Sequence, residues 1–512
     1  MSVTYDINKQ ARYSIATFFT GRSVFVTGGV GFLGKVLIEK LLRSCPEIRE
    51  IYLLIRPKKG NSAEERLKKA IELPLFDKLR EQDPSIFAKL IPLNGDCSVE
   101  RLGLSPEDRQ TLVDRVSVIF HAAANVRFHQ NLQLDVFSNV RSTRDICELG
   151  LEMKNMVALI HVSTAYSQCD KPVVDEVVYP PVADWKNVIE IAENLDQKLI
   201  ATFSIKCLGN MPNTYTFSKR LAEQVIIDYS KRLPCVIVRP SIVVSSFDDP
   251  ISGWIDNFNG PMGLMVGGGK GILRVVLMDP VVASDYIPVD VTIKATLIAT
   301  WKRGLVTVEK DPEVHVYNCT SHNICSVAGR ELIAIGLRSN EKLPVDGVLW
   351  YPRTTMTSSR FVYYILTLLL QLLPSLVIDS ILKMTGQKPI LVGIHKQIYA
   401  ASLQLEHFTT NQWYFRNEKV IDLLTNQVPP NEKNDFGFDF QVLDLTKFFS
   451  TCLLGAKRYL LHDDLSRIED NKRRLERLLW LDRIVDAIMI AMAARFLWNI
   501  GFVSGVLGLI GA

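Results

Sequence analysis

The 512-residue chain lacks the features that identify several large classes of protein. Its formal net charge is only +4, so the overall balance does not indicate a nucleic-acid-binding protein. Its nine cysteines are dispersed and form no CxxC pair, so no metal site is predicted. We expect reduced thiols in a cytosol-facing protein. Met1 to Thr20 contains no apolar run, and no cleaved secretory signal is expected.

Short apolar runs alternate with longer amphipathic segments between residues 22 and 300. Continuous apolar strands that alternate with helices are typical of a parallel sheet covered on both faces. The first predicted helix is Gly34–Leu42. The predicted strands are Ser23–Thr27, Ile51–Ile55, Val116–Ala122, Val157–Val162 and Cys235–Arg239. The pattern predicts an α/β protein built on a doubly wound parallel Rossmann sheet.

A glycine-rich segment follows the first predicted strand directly. Glycine permits a tight turn and a close approach of the backbone to a pyrophosphate, and the helix that begins there presents free N–H groups. A purely structural turn is the alternative. The predicted cofactor-binding residues of this segment are Thr27, Gly28, Gly31, Phe32, Leu33 and Gly34.

Further candidate cofactor residues follow later strands. Arg56 ends the second strand, where an acid would bind the ribose of NAD, so this cation favours NADP(H). A solvated basic turn is the alternative. Asp96 is a candidate acceptor for the adenine amino group. Ala122 and Ala123 are small enough for a flat ring to pack against the backbone.

Tyr215 and Lys219 are the candidate catalytic pair, because residues at i and i+4 lie on one helix face. A nearby ammonium is expected to lower the pKa of the phenol and make Tyr215 a usable proton donor. Ser163 and Thr164 end an upstream strand, where a hydroxyl could polarise the same carbonyl oxygen. A YxxxK pair by itself is common on protein surfaces.

Together these motifs resemble the extended short-chain dehydrogenase/reductase superfamily. HAAANVRF at 121–128, HVSTAY at 161–166, GWIDNFNGPMG at 253–263 and GAKRYLL at 455–461 further resemble the fatty acyl-CoA reductases, in their insect and animal branch. The resemblance implies cofactor roles for the three motif glycines, Asn139 and Lys219. It also implies catalytic roles for Tyr215, Lys219 and Thr164, with Ser163 adjacent. It departs from the usual pattern at Ser142, Lys294 and His322.

The resemblance and a change of composition near residue 350, where 341–360 contains Pro344, Pro352 and several Ser and Thr, predict a division of the chain. An NADP-binding domain at 18–300, with substrate elements to about 340, precedes a linker at 341–360 and a hydrophobic segment at 361–383. A smaller, mainly helical male-sterility-type domain is expected at 384–460. A charged amphipathic helix at 461–483 and a hydrophobic tail at 484–512 complete the chain.

Two apolar stretches predict association with a lipid bilayer. Phe361–Ile378 has no charged residue, but Pro374 weakens a simple spanning interpretation. The tail is the favoured anchor, and the basic excess before it places the catalytic domain on the cytosolic side. The endoplasmic reticulum is favoured over the peroxisome, because Ile510-Gly511-Ala512 is not an SKL-type address.

The resemblance implies that NADPH reduces a long-chain fatty acyl-CoA to a fatty alcohol through an aldehyde, with release of CoA. No metal is expected, and a homo-oligomer is possible. Other hypotheses stay open: a sugar-nucleotide or steroid reductase of the same superfamily, a reductase that stops at the aldehyde, or a membrane-bound binding protein on an inactive fold.

Overall fold

The computed structural model describes residues 14–126, 131–321, 324 and 326–499. Its main sheet contains β1 (Ser23–Thr27), β2 (Glu50–Ile55), β3 (Leu90–Asn94), β4 (Val116–His121), β5 (Ala158–Val162), β7 (Cys235–Pro240) and β11 (His315–Cys319). All neighbours in this sheet pair in parallel, in the order β11-β7-β5-β4-β1-β2-β3. The order runs outward from β1 in both directions, which confirms the doubly wound Rossmann prediction.

Shorter strands form three small sheets beside the main one. They are β6 (Val173–Val174), β8 (Ile242–Val244), β9 (Val275–Leu277), β10 (Ala283–Pro288), β12 (Ser326–Ala328), β13 (Thr355–Thr357) and β14 (Tyr414–Phe415). The first of these sheets has the order β12-β10-β8, and the other two pair β13 with β9 and β14 with β6.

Helices cover both faces of the main sheet and form most of the C-terminal region. Those of the first 342 residues are α1 (Ile15–Phe19), α2 (Phe32–Ser44), α3 (Ala63–Ile71), α4 (Asp77–Gln82), α5 (Pro106–Arg115), α6 (Leu132–Asp135), α7 (Ser142–Glu152), α8 (Trp185–Asn194), α9 (Gln197–Leu208), α10 (Thr214–Tyr229), α11 (Pro261–Gly269), α12 (Val289–Gly304) and α13 (Gly329–Lys342). Those that follow are α14 (Arg360–Thr367), α15 (Leu373–Met384), α16 (Leu391–Thr409), α17 (Glu418–Thr425), α18 (Lys433–Phe436), α19 (Leu445–Ala456) and α20 (Ile468–Asn499).

The predicted strands are all present, with bounds that differ by at most one residue at either end. Every residue of β1, β4 and β7 is buried, as expected for strands covered on both faces. The first predicted helix extends two residues further at each end, to Phe32 and Ser44. The continuous apolar runs therefore identified the central strands of the sheet correctly.

The C-terminal region packs directly on the nucleotide-binding part. Strand β14 pairs with β6, and the Trp413 indole N–H donates to the carbonyl oxygen of Cys169 at 2.9 Å. Helix α17 packs against α12. The predicted smaller, mainly helical region is thus joined to the larger one by a strand pair and buried side chains.

Residues 341–360, for which a linker was predicted, are packed into the protein. Val345 and Val348 are buried in an apolar cluster. The indole N–H of Trp350 bonds to Asp482 of α20, and β13 pairs with β9. Proline and hydroxyl residues made this segment look like a linker, but its few apolar side chains fill a cavity that only the folded chain creates.

The first apolar stretch forms one continuous helical run, Arg360–Met384. Among the described residues it is the one helix long and apolar enough to cross a membrane. Pro374 lacks the N–H that an α-helix requires, and a π-helical turn at Leu368–Leu372 ends two residues before it. Proline is therefore accommodated without ending the helix.

The predicted boundary between a charged helix and a hydrophobic tail falls inside α20, which continues from Ile468 to Asn499. The described part of the tail carries Asp486 and Arg495 and does not form a second candidate span. The remainder of the tail, 500–512, lies outside the described residues. The preference for the tail as the anchor therefore stays a prediction.

Candidate active site

The glycine-rich turn joins β1 to α2 at the carboxyl edge of the sheet. Gly28 has a φ of +75°, and a β-carbon there would lie 2.8 Å from the Ala123 nitrogen and 3.0 Å from the Ala122 carbonyl carbon. A β-carbon on Gly34 would lie 2.8 Å from the carbonyl carbon of Gly28. Gly31 is the residue before α2, and it has no side chain that could cap the free N–H groups of the first turn of that helix. The turn thus has the shape and donors that a dinucleotide pyrophosphate requires.

Thr27 and His121 connect the carboxyl ends of β1 and β4. The Thr27 hydroxyl lies 2.8 Å from His121 Nδ1 and accepts a hydrogen bond of 3.2 Å from the Ala123 N–H. His121 Nε2 lies 3.1 Å from the Thr143 hydroxyl on α7. Burial lowers the pKa of His121 to about 3, so the ring is neutral. His121 therefore positions the glycine turn, a role that sequence reasoning did not assign to it.

Phe32 and Leu33 begin α2, and the Phe32 ring stacks on Trp254 with centroids 5.6 Å apart. Lys35, one turn further along α2, pairs with Asp256. Trp254 and Asp256 both belong to the GWIDNFNGPMG segment. The structure therefore places this segment against the helix that begins the cofactor site, although the two lie far apart in the chain.

Arg56 and Asp96 follow the adjacent strands β2 and β3, and Arg56 Nη1 lies 3.3 Å from Asp96 Oδ2. The other Asp96 oxygen accepts bonds of 2.9 and 2.8 Å from the N–H and hydroxyl of Ser98. The Arg56 side chain is 55% exposed, so its guanidinium can reach a ligand. Arg66 of α3 bonds to the Arg56 carbonyl oxygen and adds a second cation that the sequence did not single out.

Tyr215 and Lys219 lie in the first turns of α10, which Asn213 caps by accepting a 2.9 Å bond from the Thr216 N–H. The Tyr215 phenol hydrogen-bonds to the Thr164 side chain. Lys219 Nζ donates to the carbonyl oxygen of Val162 at 2.7 Å. The structure thus joins the predicted tyrosine and threonine and holds the lysine at the end of β5.

The acidities of this pair differ from the sequence prediction. Burial raises the pKa of the Tyr215 phenol, and the bond from Thr164 opposes that shift only in part. Burial lowers the pKa of Lys219 to about 8, although the Glu223 carboxylate acts in the opposite direction. The expected lowering of the tyrosine pKa by lysine is therefore wrong for this structure, because burial has the largest effect on the phenol and Lys219 is not among the groups that shift its pKa. The phenol keeps its proton at neutral pH.

Ser163 belongs to a buried ion pair. Its hydroxyl donates to Glu223, which also accepts bonds of 2.9 and 2.7 Å from the Arg239 guanidinium and bonds from Ser167 and Gln168. Glu223 and Arg239 are both fully buried. The proton of Ser163 is thus committed to this pair, and Thr164 is the strand-end hydroxyl that meets Tyr215.

Asn139 lies in a π-helical turn, Val136–Arg141, a local geometry that is frequent at functional sites. Its Oδ1 accepts a 3.0 Å bond from the Asn125 N–H, and its Nδ2 donates to the Ser218 hydroxyl at 2.9 Å. The Ser218 hydroxyl in turn donates to the Tyr215 carbonyl oxygen at 3.0 Å. Asn139 therefore links the loop after β4 to the catalytic helix.

Asp135 is a buried acid beside the site that sequence reasoning missed. Its carboxylate accepts bonds of 2.5 Å from the Thr214 hydroxyl and 2.9 Å from Asn125 Nδ2. Burial raises its pKa to about 6. Its position four residues before Asn139 was the available signal, since the two face the same side of a helix.

Two of the three departures from the family pattern, Lys294 and Ser142, lie among the described residues, and both bond to groups other than the catalytic pair. Lys294 is buried on α12 and lies 3.8 Å from Asp249, which also pairs with Lys40 and Arg43 of α2. The Ser142 hydroxyl donates to the carbonyl oxygen of Ser138, within its own helical run. His322 lies outside the described residues.

An open groove of about 740 Å³ lies at the opposite edge of the sheet, where Val157, Pro234 and Pro312 precede strands β5, β7 and β11. It contains none of the predicted site residues. In the part of the chain that the structure describes, no group of three His, Cys, Asp or Glu side chains is arranged to hold a metal ion. The predicted catalytic and cofactor-binding side chains therefore cluster at the carboxyl edge of the sheet and not at this groove.

Comparison with known proteins identifies the two parts of the chain. Residues 26–296 match an NAD-binding family model described as "Male sterility protein", and residues 370–463 match a second model of the same description. The first match contains the glycine turn, Thr164, Tyr215 and Lys219. This part of the chain therefore binds a nicotinamide dinucleotide.

Relatives match over nearly the whole chain. The chain is 37% identical over 465 residues to "Fatty acyl-CoA reductase 1" of Homo sapiens, which covers 91% of this chain and 90% of that protein. It is 36% identical over 481 residues to "Fatty acyl-CoA reductase wat" of Drosophila melanogaster, with 94% and 92% coverage. The fold also resembles the terminal R domain of the myxalamid biosynthetic pathway, with a TM-score of 0.55, 18% identity, and coverage of 87% of this chain and 93% of that one.

Proposed function

Because the chain belongs to the fatty acyl-CoA reductase family, we propose that it uses NADPH to reduce a long-chain fatty acyl-CoA to the fatty alcohol. The first reduction would release CoA and leave an aldehyde, and the second would convert that aldehyde to the alcohol. The observation that carries the proposal is the Thr164–Tyr215 hydrogen bond beside Lys219, at the same sheet edge as the glycine turn.

The residues that would hold the dinucleotide follow from the geometry of the edge. The pyrophosphate fits the glycine turn at Gly28 and Gly34, where any side chain would clash with backbone. Arg56 is exposed at the end of β2 and suits a 2′-phosphate. When bound, the dinucleotide supplies hydride to the carbonyl carbon of the substrate.

The chain's own side chains would act on the carbonyl oxygen. Thr164 and Tyr215 would supply two hydroxyl donors from different elements, the end of β5 and α10. The Thr164 hydroxyl donates to the Pro240 carbonyl oxygen at 3.4 Å, and this long bond would be exchanged for one to the substrate oxygen. Preorganised donors of this kind stabilise the developing oxyanion and are typically worth about 10²–10³ in rate. Burial keeps the phenol protonated, so Tyr215 can transfer its proton to the alkoxide formed in the second reduction.

The test is reduction of acyl-CoA substrates of several chain lengths by the purified chain, with NADPH or NADH and analysis of extracted lipids by mass spectrometry. We expect fatty alcohol, with two NADPH consumed for each CoA released. An aldehyde as the accumulating end product would reject the second reduction. No cofactor consumption with any acyl-CoA would reject the reductase assignment.

We further infer that the enzyme works at a membrane, with the catalytic domain on the cytosolic side. Long acyl chains partition into lipid, and Arg360–Met384 is apolar enough to enter it. The endoplasmic reticulum stays the preferred organelle over the peroxisome. Microscopy of a tagged full-length chain against markers of both organelles tests this choice, and a peroxisomal pattern would reject it.

A further inference from the structure

The helical run Arg360–Met384 has the reverse polarity of a helix on the surface of a soluble protein. At four-residue intervals its polar side chains point inward and are buried: Thr367, Gln371, Ser375 and Asp379. Its large apolar side chains point outward and are exposed, among them Phe361, Leu369, Leu376, Val377 and Ile381. Phe361 is 72% exposed and Val377 is 61% exposed. This arrangement suits a helix with protein on one side and lipid on the other.

The inward stripe is bound to the protein along its whole length. Near its start, the Tyr363 ring stacks on Tyr399 of α16 with centroids 5.7 Å apart and planes within 2°. At its centre, Gln371 Oε1 accepts a 3.2 Å bond from the Arg274 N–H, just before β9. Near its end, the Asp379 carboxylate accepts bonds of 2.9 to 3.1 Å from three consecutive N–H groups at the start of α16. The helix is therefore an integral part of the folded body.

A second exposed apolar face lies on α20. Asp482 of α20 lies 3.3 Å from the Arg274 guanidinium, so α20 reaches the residue whose backbone holds Gln371. The neighbouring apolar side chains of α20 are exposed: Trp480, Leu481, Ile484, Val485, Ile488, Met489, Ile490 and Met492. We call the outward residues of 360–384 and of 480–492 together the apolar face.

The attachments argue against a spanning orientation. A run of 25 residues is about 37 Å long, enough to cross a hydrocarbon core of about 30 Å. A spanning orientation, however, would draw the attached β9, α16 and α20 into the hydrocarbon. The Arg274–Asp482 ion pair and the exposed Arg353–Asp486 ion pair would then enter the hydrocarbon as well. Charged side chains at that depth are costly and rare.

We propose that the apolar face lies in the plane of the membrane and inserts into one leaflet, so that 360–384 docks the folded enzyme without crossing the bilayer. The proposal rests on the proposed function in one respect, that the partner is a lipid bilayer. The proposal specifies how the enzyme contacts the bilayer. Docking in this orientation places the part of the protein that carries the active site at the surface where acyl chains reside.

Charge and chain continuity favour lipid over a second copy of the protein. Exposed cations lie within or close in sequence to the two segments of the apolar face, at Lys383, Lys388, Lys396 and Arg483, and such cations suit anionic lipid head groups. The segment 500–512 follows α20 directly and contains no charged residue in its sequence. A hydrophobic interface between two proteins would gain nothing from these cations on both copies, since like charges repel.

The first experiment measures binding of the full chain to vesicles by flotation, with phosphatidylcholine alone and with added phosphatidylserine. The variant Leu369→Glu/Leu376→Glu/Ile381→Glu should lower the partition coefficient at least about tenfold, because it places charges in the inserted face. The matched control Val99→Glu/Val182→Glu/Val281→Glu also adds three carboxylates at exposed valines outside the face and should float like wild type. Equal flotation of both variants would overturn the proposal.

The second experiment separates an in-plane helix from a spanning one. Lys388→Cys, in the exposed turn between α15 and α16, is treated with an impermeant maleimide after the chain binds the outside of sealed vesicles. Labelling above the wild-type background without permeabilisation is expected. Labelling only after permeabilisation would show that 360–384 crosses the bilayer and would overturn the proposal.

Two controls keep this result distinct from the catalytic proposal. The triple glutamate variant of the helix should retain wild-type turnover of a water-soluble short-chain acyl-CoA, because its substitutions are exposed and outside the active site. Loss of flotation with that activity intact supports docking by the face. Loss of a dimer in solution in the same variant, with flotation unchanged, would instead assign the face to self-association.

Discussion

The Arg56 guanidinium lies 3.3 Å from the Asp96 carboxylate, at the ends of the adjacent strands β2 and β3. The carboxylate orients a cation that is otherwise 55% exposed. An exposed ion pair contributes little to stability, so its arrangement matters more for the ligand than for the fold. We expect this ion pair, at the carboxyl edge of the sheet, to be the place where a ribose 2′-phosphate is distinguished from a free 2′-hydroxyl.

We expect Arg56→Ala to raise the KM for NADPH by about 10–100-fold, which corresponds to loss of a charge-assisted hydrogen bond of about 1.5–3 kcal/mol. The KM for NADH should change little. Steady-state kinetics with both cofactors measures the effect, and Arg49→Ala, another exposed arginine beside β2, is the control. Retention of the full NADPH preference in Arg56→Ala would assign the selection to other residues.

Tyr215→Phe should lower kcat by about 10²–10³ with little change in the KM for either substrate, since it removes a donor used at the reacting oxygen. Tyr229→Phe, at the other end of the same helix, is the matched control and should keep wild-type turnover. Circular dichroism should show both variants folded. Near wild-type turnover by Tyr215→Phe would exclude the phenol as the proton donor.

Thr164 and Ser163 should behave differently although they are adjacent. Thr164→Val removes the hydroxyl that bonds Tyr215, and we expect kcat to fall about 10–100-fold. Ser163→Ala removes a donor from the buried Glu223 and should lower the free energy of unfolding by about 1–3 kcal/mol. Turnover per folded molecule should stay near wild type in Ser163→Ala. The reverse pattern would make Ser163 the catalytic hydroxyl.

The pH dependence should report Lys219. Its pKa is lowered to about 8 from 10.5, so its ammonium is present below pH 8 and is lost as the pH rises above that value. If the cation supports catalysis, kcat should fall above about pH 8 with the slope of one proton. In Lys219→Arg this fall in kcat should move beyond pH 10, because a guanidinium group stays charged at that pH. A flat wild-type profile up to pH 9.5 would remove the ammonium from the mechanism.

Asp135 should make stability depend on pH in the acid range. Its folded pKa is raised to about 6 from 3.8, so the stability it contributes is present below pH 3.8 and is lost as the pH rises through 6. Because the side chain is fully buried, the loss is about 3 kcal/mol. Thermal unfolding at pH 5 and 7 should show a smaller difference for Asp135→Asn than for wild type. Equal differences would indicate that Asp135 titrates normally.

Local patterns in the sequence were sufficient for the sheet and for much of the site. Continuous apolar runs identify strands buried on both faces, and glycine at Gly28 and Gly34 reports a backbone that approaches other backbone closely. The spacing of Tyr215 and Lys219 reports one helix face. The spacing on one helix face and the approach of Gly34 to Gly28 depend on neighbours within a few residues, so the chain reveals them without its tertiary structure. The approach of Gly28 to Ala122 and Ala123 joins distant parts of the chain, and the sequence indicated it only through the glycine motif.

What the sequence by itself determined is therefore the fold class, the family, and the places of the glycine turn and of the Tyr215–Lys219 pair in the chain. Only the tertiary structure decided which hydroxyl meets Tyr215, that burial raises the pKa of the tyrosine, and that the polar stripe of 360–384 faces inward. The reason is physical. Desolvation and hydrogen-bond partners depend on groups that the fold brings together from distant parts of the chain, and no local pattern encodes them.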